Sequence, residues 1–315
     1  MSELPAGWPW KGRVDEADGA AARRWHQIVR PRGATPAPVA LLGFACDAGV
    51  ARNGGRVGAV EGPSAIRRAL GNLAVHELAA VDDLGDIRCE GDELEAAQEA
   101  YAAAAATALQ SSSLVVGLGG GHEIAFASYL ALAHLLEYSG SRDPVGVINF
   151  DAHFDLRGDA RANSGTPFRQ ILEHGRAHGR QLGYFCLGIS RHSNTAALFD
   201  RARSLDVQWV EDLETRAERF ADLERELREF AARHARLYLT VCLDVLPGAV
   251  APGVSAPAAL GVNPLLVDRL VEVVIATGQV VIADVAEMNP RFDQDDRTAK
   301  LAARFAAHLA GAARR

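Results

Sequence analysis

The chain has 315 residues, of which 49% are hydrophobic and 23% charged, and its formal net charge is −7. We expect one domain over residues 1–315, with residues 1–36 as an N-terminal extension packed on it. The negative charge argues against nucleic-acid binding, and no apolar run reaches the roughly 20 residues of a membrane span. The four cysteines show no disulfide spacing and the N-terminus no signal-peptide pattern, so we expect a reduced, cytoplasmic location.

Short apolar runs rich in β-forming residues alternate with longer helix-like stretches. The predicted strands are 38–44, 113–119, 145–150, 184–189, 207–210, 236–243 and 279–284. The predicted helices are 93–110, 123–138, 212–234, 265–276 and one near 297–313. Runs that are apolar throughout are typical of strands buried on both faces, and the alternation predicts βαβ units around a parallel sheet. The sequence therefore predicts an α/β fold.

The segment "VINFDAHFDLR" (147–157) places three titratable side chains at every second position. Asp151, His153 and Asp155 share one face if the extended backbone continues, while Ala152 and Phe154 share the other. A helix cap or a turn explains one aspartate, but not this alternation. Two carboxylates and an imidazole that are buried together need a cation to hold them. The segment therefore predicts a metal site.

Two further loops after predicted strands carry similar side chains. Cys242 and Asp244 repeat the spacing of two, and His122 follows three glycines that permit a tight turn. Ligands bind at the carboxyl ends of the strands in open parallel sheets, where these loops meet. Oxygen and imidazole ligands suit Mn²⁺ and similar ions. The predicted set exceeds what one ion usually takes, which favours a two-metal site that activates a water. The predicted metal ligands are His122, Asp151, His153, Asp155, Cys242 and Asp244.

The blocks "GGGHE", "NFDAHFD" and "CLDVLPGAVAPGVSAP", together with 53–67 and 287–290, resemble the signatures of the ureohydrolases, the arginase and agmatinase superfamily. The resemblance runs in the family's order from about residue 41 to 309. It implies a three-layer α/β/α arginase-like fold with a mostly parallel sheet of about eight strands. Family members often form trimers or hexamers, so a homo-oligomer is left open.

Within the superfamily, "NSGTPFRQ" and "LGISRHSNT" are most similar to the blocks of formimidoylglutamases. These enzymes of histidine degradation hydrolyse a small-molecule substrate, N-formimidoyl-L-glutamate, to L-glutamate and formamide. Arginases and agmatinases tend to carry a histidine where this chain has Ser164, which argues against guanidino chemistry. A guanidino hydrolase that releases urea, such as a guanidinobutyrase or an agmatinase, remains the alternative.

The resemblance implies two Mn²⁺ per subunit, with roles carried over residue by residue. His122, Asp151 and Asp155 would hold the first ion. His153, Asp151 and Asp244 would hold the second. The predicted catalytic residues are Asp155 and Glu287, whose carboxylate would orient the cationic formimidoyl group. The alternative for Glu287 is a cap or a surface charge before Asn289 and Pro290.

The sequence departs from the family at one metal-binding position. The usual signature is Ser-x-Asp-x-Asp, whereas this chain reads "TVCLD", with Cys242 in the place of the bridging aspartate. A thiolate can bridge two metals, although its softness favours Zn²⁺ or Fe²⁺ over Mn²⁺. The alternative is a small buried cysteine beside a weak second site, and hence a catalytically impaired or silent family member.

The predicted substrate carries two carboxylates, and arginine side chains bind carboxylates with two parallel hydrogen bonds. Arg191 and Arg157 are the first choices for this contact, and Asn163 and Ser164 are expected to add hydrogen bonds. Three further arginines lie in loops near the motif blocks: Arg56, Arg161 and Arg169.

Overall fold

The structure is a computed structural model, and it describes residues 8–76 and 78–314. In these residues nine strands form one sheet, in the order β1-β3-β2-β4-β9-β8-β5-β6-β7, and every neighbouring pair is parallel. The strands are β1 (Val29–Pro31), β2 (Val39–Ala45), β3 (Val81–Arg88), β4 (Leu114–Gly119), β5 (Val145–Phe150), β6 (Leu182–Ile189), β7 (Gln208–Glu211), β8 (Arg236–Cys242) and β9 (Val280–Ala286).

Helices cover both faces of this sheet. They are α1 (Ala48–Arg52), α2 (Gly62–Leu70), α3 (Leu94–Leu109), α4 (Ile124–Ser139), α5 (Pro167–Ala177), α6 (Ala196–Ser204), α7 (Phe220–Ala231), α8 (Pro264–Ile275) and α9 (Arg297–Ala310). One buried apolar cluster joins the sheet to α2, α7, α8 and α9, and a second joins its other face to α3, α4, α5 and α6. The predicted three-layer α/β/α class is confirmed, with nine strands in place of about eight. None of the helices in the described ranges is long and apolar enough to span a bilayer.

All seven strands predicted from the sequence are present, but β1 and β3 were missed. The sequence of β3, "VDDLGDIR", is rich in residues that strands disfavour. Its buried Asp83 is stabilised by tertiary contacts, because Arg67 forks onto it with two 2.9 Å hydrogen bonds. The predicted helix 212–234 begins only at Phe220, after two short helical turns.

The N-terminal segment packs against this edge of the sheet. Trp10 donates a hydrogen bond from Nε1 to Asp83 Oδ2 (2.6 Å), Trp25 is buried, and β1 pairs with β3. Residues 1–7 of the predicted extension lie outside the described residues. The assignment of 1–315 to one domain stays a prediction.

A charged cluster between α8 and α9 provides a test of packing by pH. His308 Nδ1 lies 2.9 Å from Asp268 Oδ1, and His308 Nε2 lies 2.5 Å from Glu272 Oε2. The hydrogen bond with Asp268 raises the pKa of His308, although burial opposes it. Burial alone would raise the pKa of Asp268. The hydrogen bonds from His308 and Arg304 outweigh burial, so that the pKa of Asp268 is lowered overall. The pair therefore stabilises the fold most between about pH 4 and 6.5, where both groups are charged even in the unfolded chain.

Replacing His308 by glutamine is expected to lower the free energy of unfolding by about 1 kcal/mol at pH 6. The loss becomes smaller as the pH rises through the folded-state pKa of His308, because the wild-type imidazole then loses its charge. Urea denaturation at pH 6 and pH 9 measures both values. His134→Gln is the control, since His134 forms an exposed pair with Glu99. Equal losses for His308→Gln at both pH values would contradict this interpretation.

Candidate metal centre and active site

The candidate site lies at the carboxyl end of the sheet, above the four adjacent strands β4, β9, β8 and β5. Each strand leads into one of its segments. His122 follows β4 through a glycine turn, in which a side chain at Gly120 would overlap the carbonyl of Cys46. Cys242 is the last residue of β8, and Asp244 lies in the helical turn that follows it. Glu287 directly follows β9.

The alternating aspartates and histidine do not share a strand face as the sequence suggested. Strand β5 ends at Phe150, and 151–157 form a loop in which Asp155 has a left-handed backbone (φ +49°). Asn194 holds this loop, because it accepts a hydrogen bond from Phe154 N and donates to Ala152 O. The three side chains therefore converge through a braced loop.

All six predicted metal ligands meet at this place. His122 Nδ1 lies 2.9 Å from Asp151 Oδ2 and 3.1 Å from Asp155 Oδ2. His153 Nδ1 lies 3.1 Å from Asp244 Oδ2 and 3.5 Å from Asp151 Oδ1. The thiol of Cys242 is 3.0 Å from Asp244 Oδ1. Two groups of three have their ligand atoms within 4.8 Å of one another: His122, Asp151 and Cys242, and Asp151, His153 and Asp244.

The buried carboxylates of this cluster favour a cationic group between them. Burial and then the charge of Asp151 raise the pKa of Asp155 to about 6. Burial raises the pKa of Asp151, but hydrogen bonds from His122 and His153 outweigh it, so that the pKa is lowered. Burial, followed by the nearby aspartates, raises the pKa of Cys242. Divalent ions would offset this concentration of negative charge, and the mixed oxygen, nitrogen and sulfur donors could hold two of them.

Neighbouring groups orient the candidate ligands. Asn149 Nδ2 donates to Asp151 Oδ2 (3.1 Å), and the backbone N–H of His153 donates to Asp151 Oδ1 (2.7 Å). The second ring nitrogen of His122, Nε2, lies 3.1 Å from the hydroxyl of Thr240. Contacts of this kind fix the direction of the lone pairs that a metal needs.

Glu287 combines a strained backbone with an unpaired carboxylate oxygen. Its φ is +70°, which is costly for a residue with a side chain. Oε1 accepts a hydrogen bond from the backbone N–H of His122 (2.9 Å), whereas the buried Oε2 has no hydrogen-bond partner among the described residues. Burial and the charges of Asp244 and Glu123 raise the pKa of Glu287 to about 8. A cationic group in the cavity would pair with this carboxylate.

A cavity of about 320 Å³ opens over the cluster. Of the predicted substrate-binding residues, it contains Arg157 and Ser164. Arg191 is not part of the cavity wall. Its mostly exposed guanidinium forms an ion pair with the carboxylate of Glu211 (Nε to Oε2, 2.9 Å). Asn163 is buried within its own turn, where it hydrogen-bonds Asp159, Gly165 and Thr166.

Of the two described arginines on the cavity wall, Arg157 has a guanidinium that is available for a ligand. The side chain forms no hydrogen bond or ion pair within 8–76 and 78–314, and it packs where Gly165 leaves room. Arg56 also lines the cavity, but it donates to the carbonyls of the 252–255 loop and lies over the ring of Phe292. Arg56 therefore holds a loop.

Several polar residues of the cavity wall were not predicted from the sequence. Asn53 donates from Nδ2 to Ser164 Oγ (3.1 Å), and Ser255 Oγ accepts from the backbone of Arg56 (3.0 Å). Ser193 and Asn194 complete this group. All of them lie in segments that the motif comparison had marked. Their residue types alone do not distinguish ligand contacts from loop contacts.

The chain belongs to the arginase family, whose model matches residues 37–311. It is 49% identical to the formimidoylglutamase of Ralstonia nicotianae over 95% of this chain and 94% of the relative. It is 45% identical to that of Chromobacterium violaceum, over 97% and 98%. The formiminoglutamase of Trypanosoma cruzi, solved with Mn²⁺, superposes with a TM-score of 0.77 at 28% identity, over 89% of this chain and 94% of that one.

Proposed function

We propose that this chain is a formimidoylglutamase, which hydrolyses N-formimidoyl-L-glutamate to L-glutamate and formamide. The observation that carries the proposal is the charge arrangement of one cavity. The unpaired carboxylate oxygen of Glu287 lies beside the ligand cluster, and the unpaired guanidinium of Arg157 lies on the same cavity's wall. A substrate with a cationic amidine at one end and carboxylates at the other matches both charges. The curated relatives at 45–49% identity support the same activity.

The metal pair is the second part of the proposal. His122, Asp151 and Asp155 would hold one ion, and His153, Asp151 and Asp244 the other, with Cys242 shared between them. Mn²⁺ is favoured by the oxygen-rich donor set and by the ions reported for the Trypanosoma cruzi protein, while the thiolate increases affinity for softer ions. When bound, such a pair lowers the pKa of a water so that it can act as a nucleophile near neutral pH.

The side chains of the cavity bind and orient the substrate in this proposal. Glu287 Oε2 accepts an N–H of the formimidoyl cation and directs its carbon toward the cluster. Asp155 contacts His122 through Oδ2. In this proposal Asp155, which also lines the cavity, accepts a hydrogen bond from the attacking water. The oxygen of the water forms a bond to the formimidoyl carbon, and the bond between this carbon and the glutamate nitrogen breaks. The glutamate nitrogen takes up one proton of the water and leaves as the amine of L-glutamate, and the carbon with its remaining nitrogen leaves as formamide.

Product analysis tests the proposed function. Purified protein loaded with Mn²⁺ is incubated with N-formimidoyl-L-glutamate and, separately, with agmatine and 4-guanidinobutyrate. The expected result is equimolar formamide and L-glutamate by proton NMR, and no urea from the guanidino compounds. Urea release without turnover of formimidoylglutamate would replace the proposal by a guanidino hydrolase. A metal-loaded protein that turns over none of these substrates would indicate a catalytically silent family member.

Arg157 provides a prediction on substrate binding. Arg157→Met is expected to raise KM for N-formimidoyl-L-glutamate about 10- to 100-fold, because hydrogen bonds to a charged group contribute about 1.5–3 kcal/mol. The value of kcat changes little if the contact is equally strong in the ground and transition states. Steady-state kinetics measures both constants. Arg191→Met is the matched control and should leave KM within about twofold. Equal effects of the two variants would remove Arg157 from the proposed site.

A further inference from the structure

The segment "NGGR" (53–56) is not used by the proposed reaction, although all four of its residues line the cavity. Each polar end of this segment donates a hydrogen bond to the side chain of a serine. Asn53 Nδ2 donates to Ser164 Oγ (3.1 Å), and the backbone N–H of Arg56 donates to Ser255 Oγ (3.0 Å). The segment therefore holds two serine hydroxyls at the cavity wall.

Ser255 has a hydroxyl proton that it can donate to a ligand. A hydroxyl group carries one proton and two lone pairs. Ser255 Oγ accepts the hydrogen bond from Arg56 N, and it forms no other hydrogen bond within residues 8–76 and 78–314. Gly55 leaves room for this oxygen, since a Cβ at Gly55 would lie 2.4 Å from it. Because Ser255 lines the cavity, its proton is available to an acceptor there.

Arg56 adds a positive charge beside this hydroxyl. Its guanidinium donates to the carbonyl of Ser255 (3.0 Å) and to two further carbonyls of the 252–255 loop, and it lies 4.1 Å from the ring centroid of Phe292. No carboxylate of the described residues forms an ion pair with it. Asn289 Nδ2 donates to the carbonyl of Arg56 (2.7 Å) and fixes its main chain. The charge of Arg56 therefore favours an anionic group at this wall of the cavity.

We propose that Ser255 determines specificity by donating its hydroxyl proton to one carboxylate of the substrate, while Arg157 binds the other carboxylate. Arg56 is a positioning residue, which orients the hydroxyl through its N–H. This inference rests on the proposed function, because it assigns the second carboxylate of N-formimidoyl-L-glutamate. One guanidinium forks onto one carboxylate, so a substrate with two carboxylates needs a second donor. The alternative is that Ser255 only links its loop to Arg56 and stabilises the fold.

Two substrate analogues separate these roles. N-formimidoyl-4-aminobutyrate lacks the α-carboxylate of the substrate, and N-formimidoyl-L-2-aminobutyrate lacks the γ-carboxylate. A side chain that binds one carboxylate affects only the compounds that carry it, whereas a side chain that only supports the fold affects all three compounds. The value of kcat/KM for each compound is measured with the wild type, Ser255→Ala and Arg157→Met. Each pair of protein variant and analogue forms a double-mutant cycle.

Ser255→Ala is expected to lower kcat/KM for N-formimidoyl-L-glutamate by about 10- to 100-fold, mainly through KM, because it removes a hydrogen bond to a charged group. It should have the same effect on one analogue and change the other by less than about twofold. Arg157→Met should show the opposite preference between the analogues, and Arg56→Met should show that of Ser255→Ala.

Arg297→Met is the matched control for Arg56→Met. Arg297 donates to the carbonyl of Ala249 (3.1 Å), close to the 252–255 loop, but it is not part of the cavity wall. The control should leave kcat/KM for all three compounds within about twofold. Thermal unfolding of each variant reports its effect on stability.

The possible failures are distinguishable. If the wild type releases formamide, but Ser255→Ala leaves kcat/KM unchanged or lowers it equally for all three compounds, the role of Ser255 is overturned and the proposed function stays intact. If Ser255→Ala and Arg157→Met both lose their effect on the same analogue, they bind one carboxylate together, which also overturns the assignment. A wild type that releases no formamide from N-formimidoyl-L-glutamate would overturn the proposed function itself.

Discussion

Replacing Glu287 by glutamine is expected to lower kcat/KM for N-formimidoyl-L-glutamate by about 10²- to 5 × 10³-fold, while the metal content of the protein stays the same. The amide keeps the shape and can still accept the hydrogen bond from His122 N. It lacks the negative charge that pairs with the formimidoyl cation. Loss of one partner from a buried ion pair costs about 3–5 kcal/mol, which corresponds to this change in rate.

Steady-state kinetics, together with metal analysis, measures this effect. Glu123→Gln is the matched control, because Glu123 is also a buried glutamate, but it binds the backbone of Gly49 and is not part of the cavity wall. We expect the control to lose less than about tenfold. If Glu287→Gln retained wild-type kinetics, or if both variants lost the same activity, the contact between Glu287 and the substrate would be refuted.

Replacing Cys242 by alanine is expected to weaken the binding of one of two divalent ions by more than about 100-fold. Loss of an outer partner of a ligand costs 10- to 100-fold in affinity, so loss of the ligand itself costs more. Cys242→Asp should restore the binding of two ions, because a carboxylate can bridge them as the family signature does. Metal analysis after dialysis against limiting Mn²⁺ measures the stoichiometry.

Co²⁺ substitution gives an independent readout of the thiolate. The wild type should show near-ultraviolet charge-transfer absorption from sulfur to Co²⁺, and Cys242→Ala and Cys242→Asp should lack it. Cys186→Ala is the control, since this buried cysteine contacts the carbonyl of His153 and does not join the ligand groups. Two bound ions and an unchanged spectrum in Cys242→Ala would leave Cys242 as a small buried residue.

The fold class and the position of the ligand cluster could be predicted because both depend on local patterns. Continuous apolar runs identify buried strands wherever they occur, and parallel strands bring the loops at their carboxyl ends together. Strand β3 was not predicted, because its Asp82, Asp83 and Asp86 are compatible with a strand only when residues far along the chain bind them. Arg67 and Trp10 supply the partners of Asp83.

The choice among the arginines could not be made from sequence for the same reason. Arg157 and Arg191 both follow motif blocks, and nothing local separates them. Arg191 is paired because Glu211, at the end of β7, lies beside it in the folded chain. The backbone conformation of 151–155 could not be predicted from the alternation of residue types either. The alternation suggested an extended strand, whereas Asp155 has a left-handed backbone.

Anomalous X-ray scattering from crystals of the Mn²⁺-loaded protein tests most directly the claim that the buried carboxylate, imidazole and thiol groups form a two-metal site. We expect two manganese peaks about 3.5–4 Å apart. Both should contact Asp151, one should contact His122 Nδ1, and the other should contact His153 Nδ1. A single peak, or no peak among these side chains at saturating Mn²⁺, would contradict the claim.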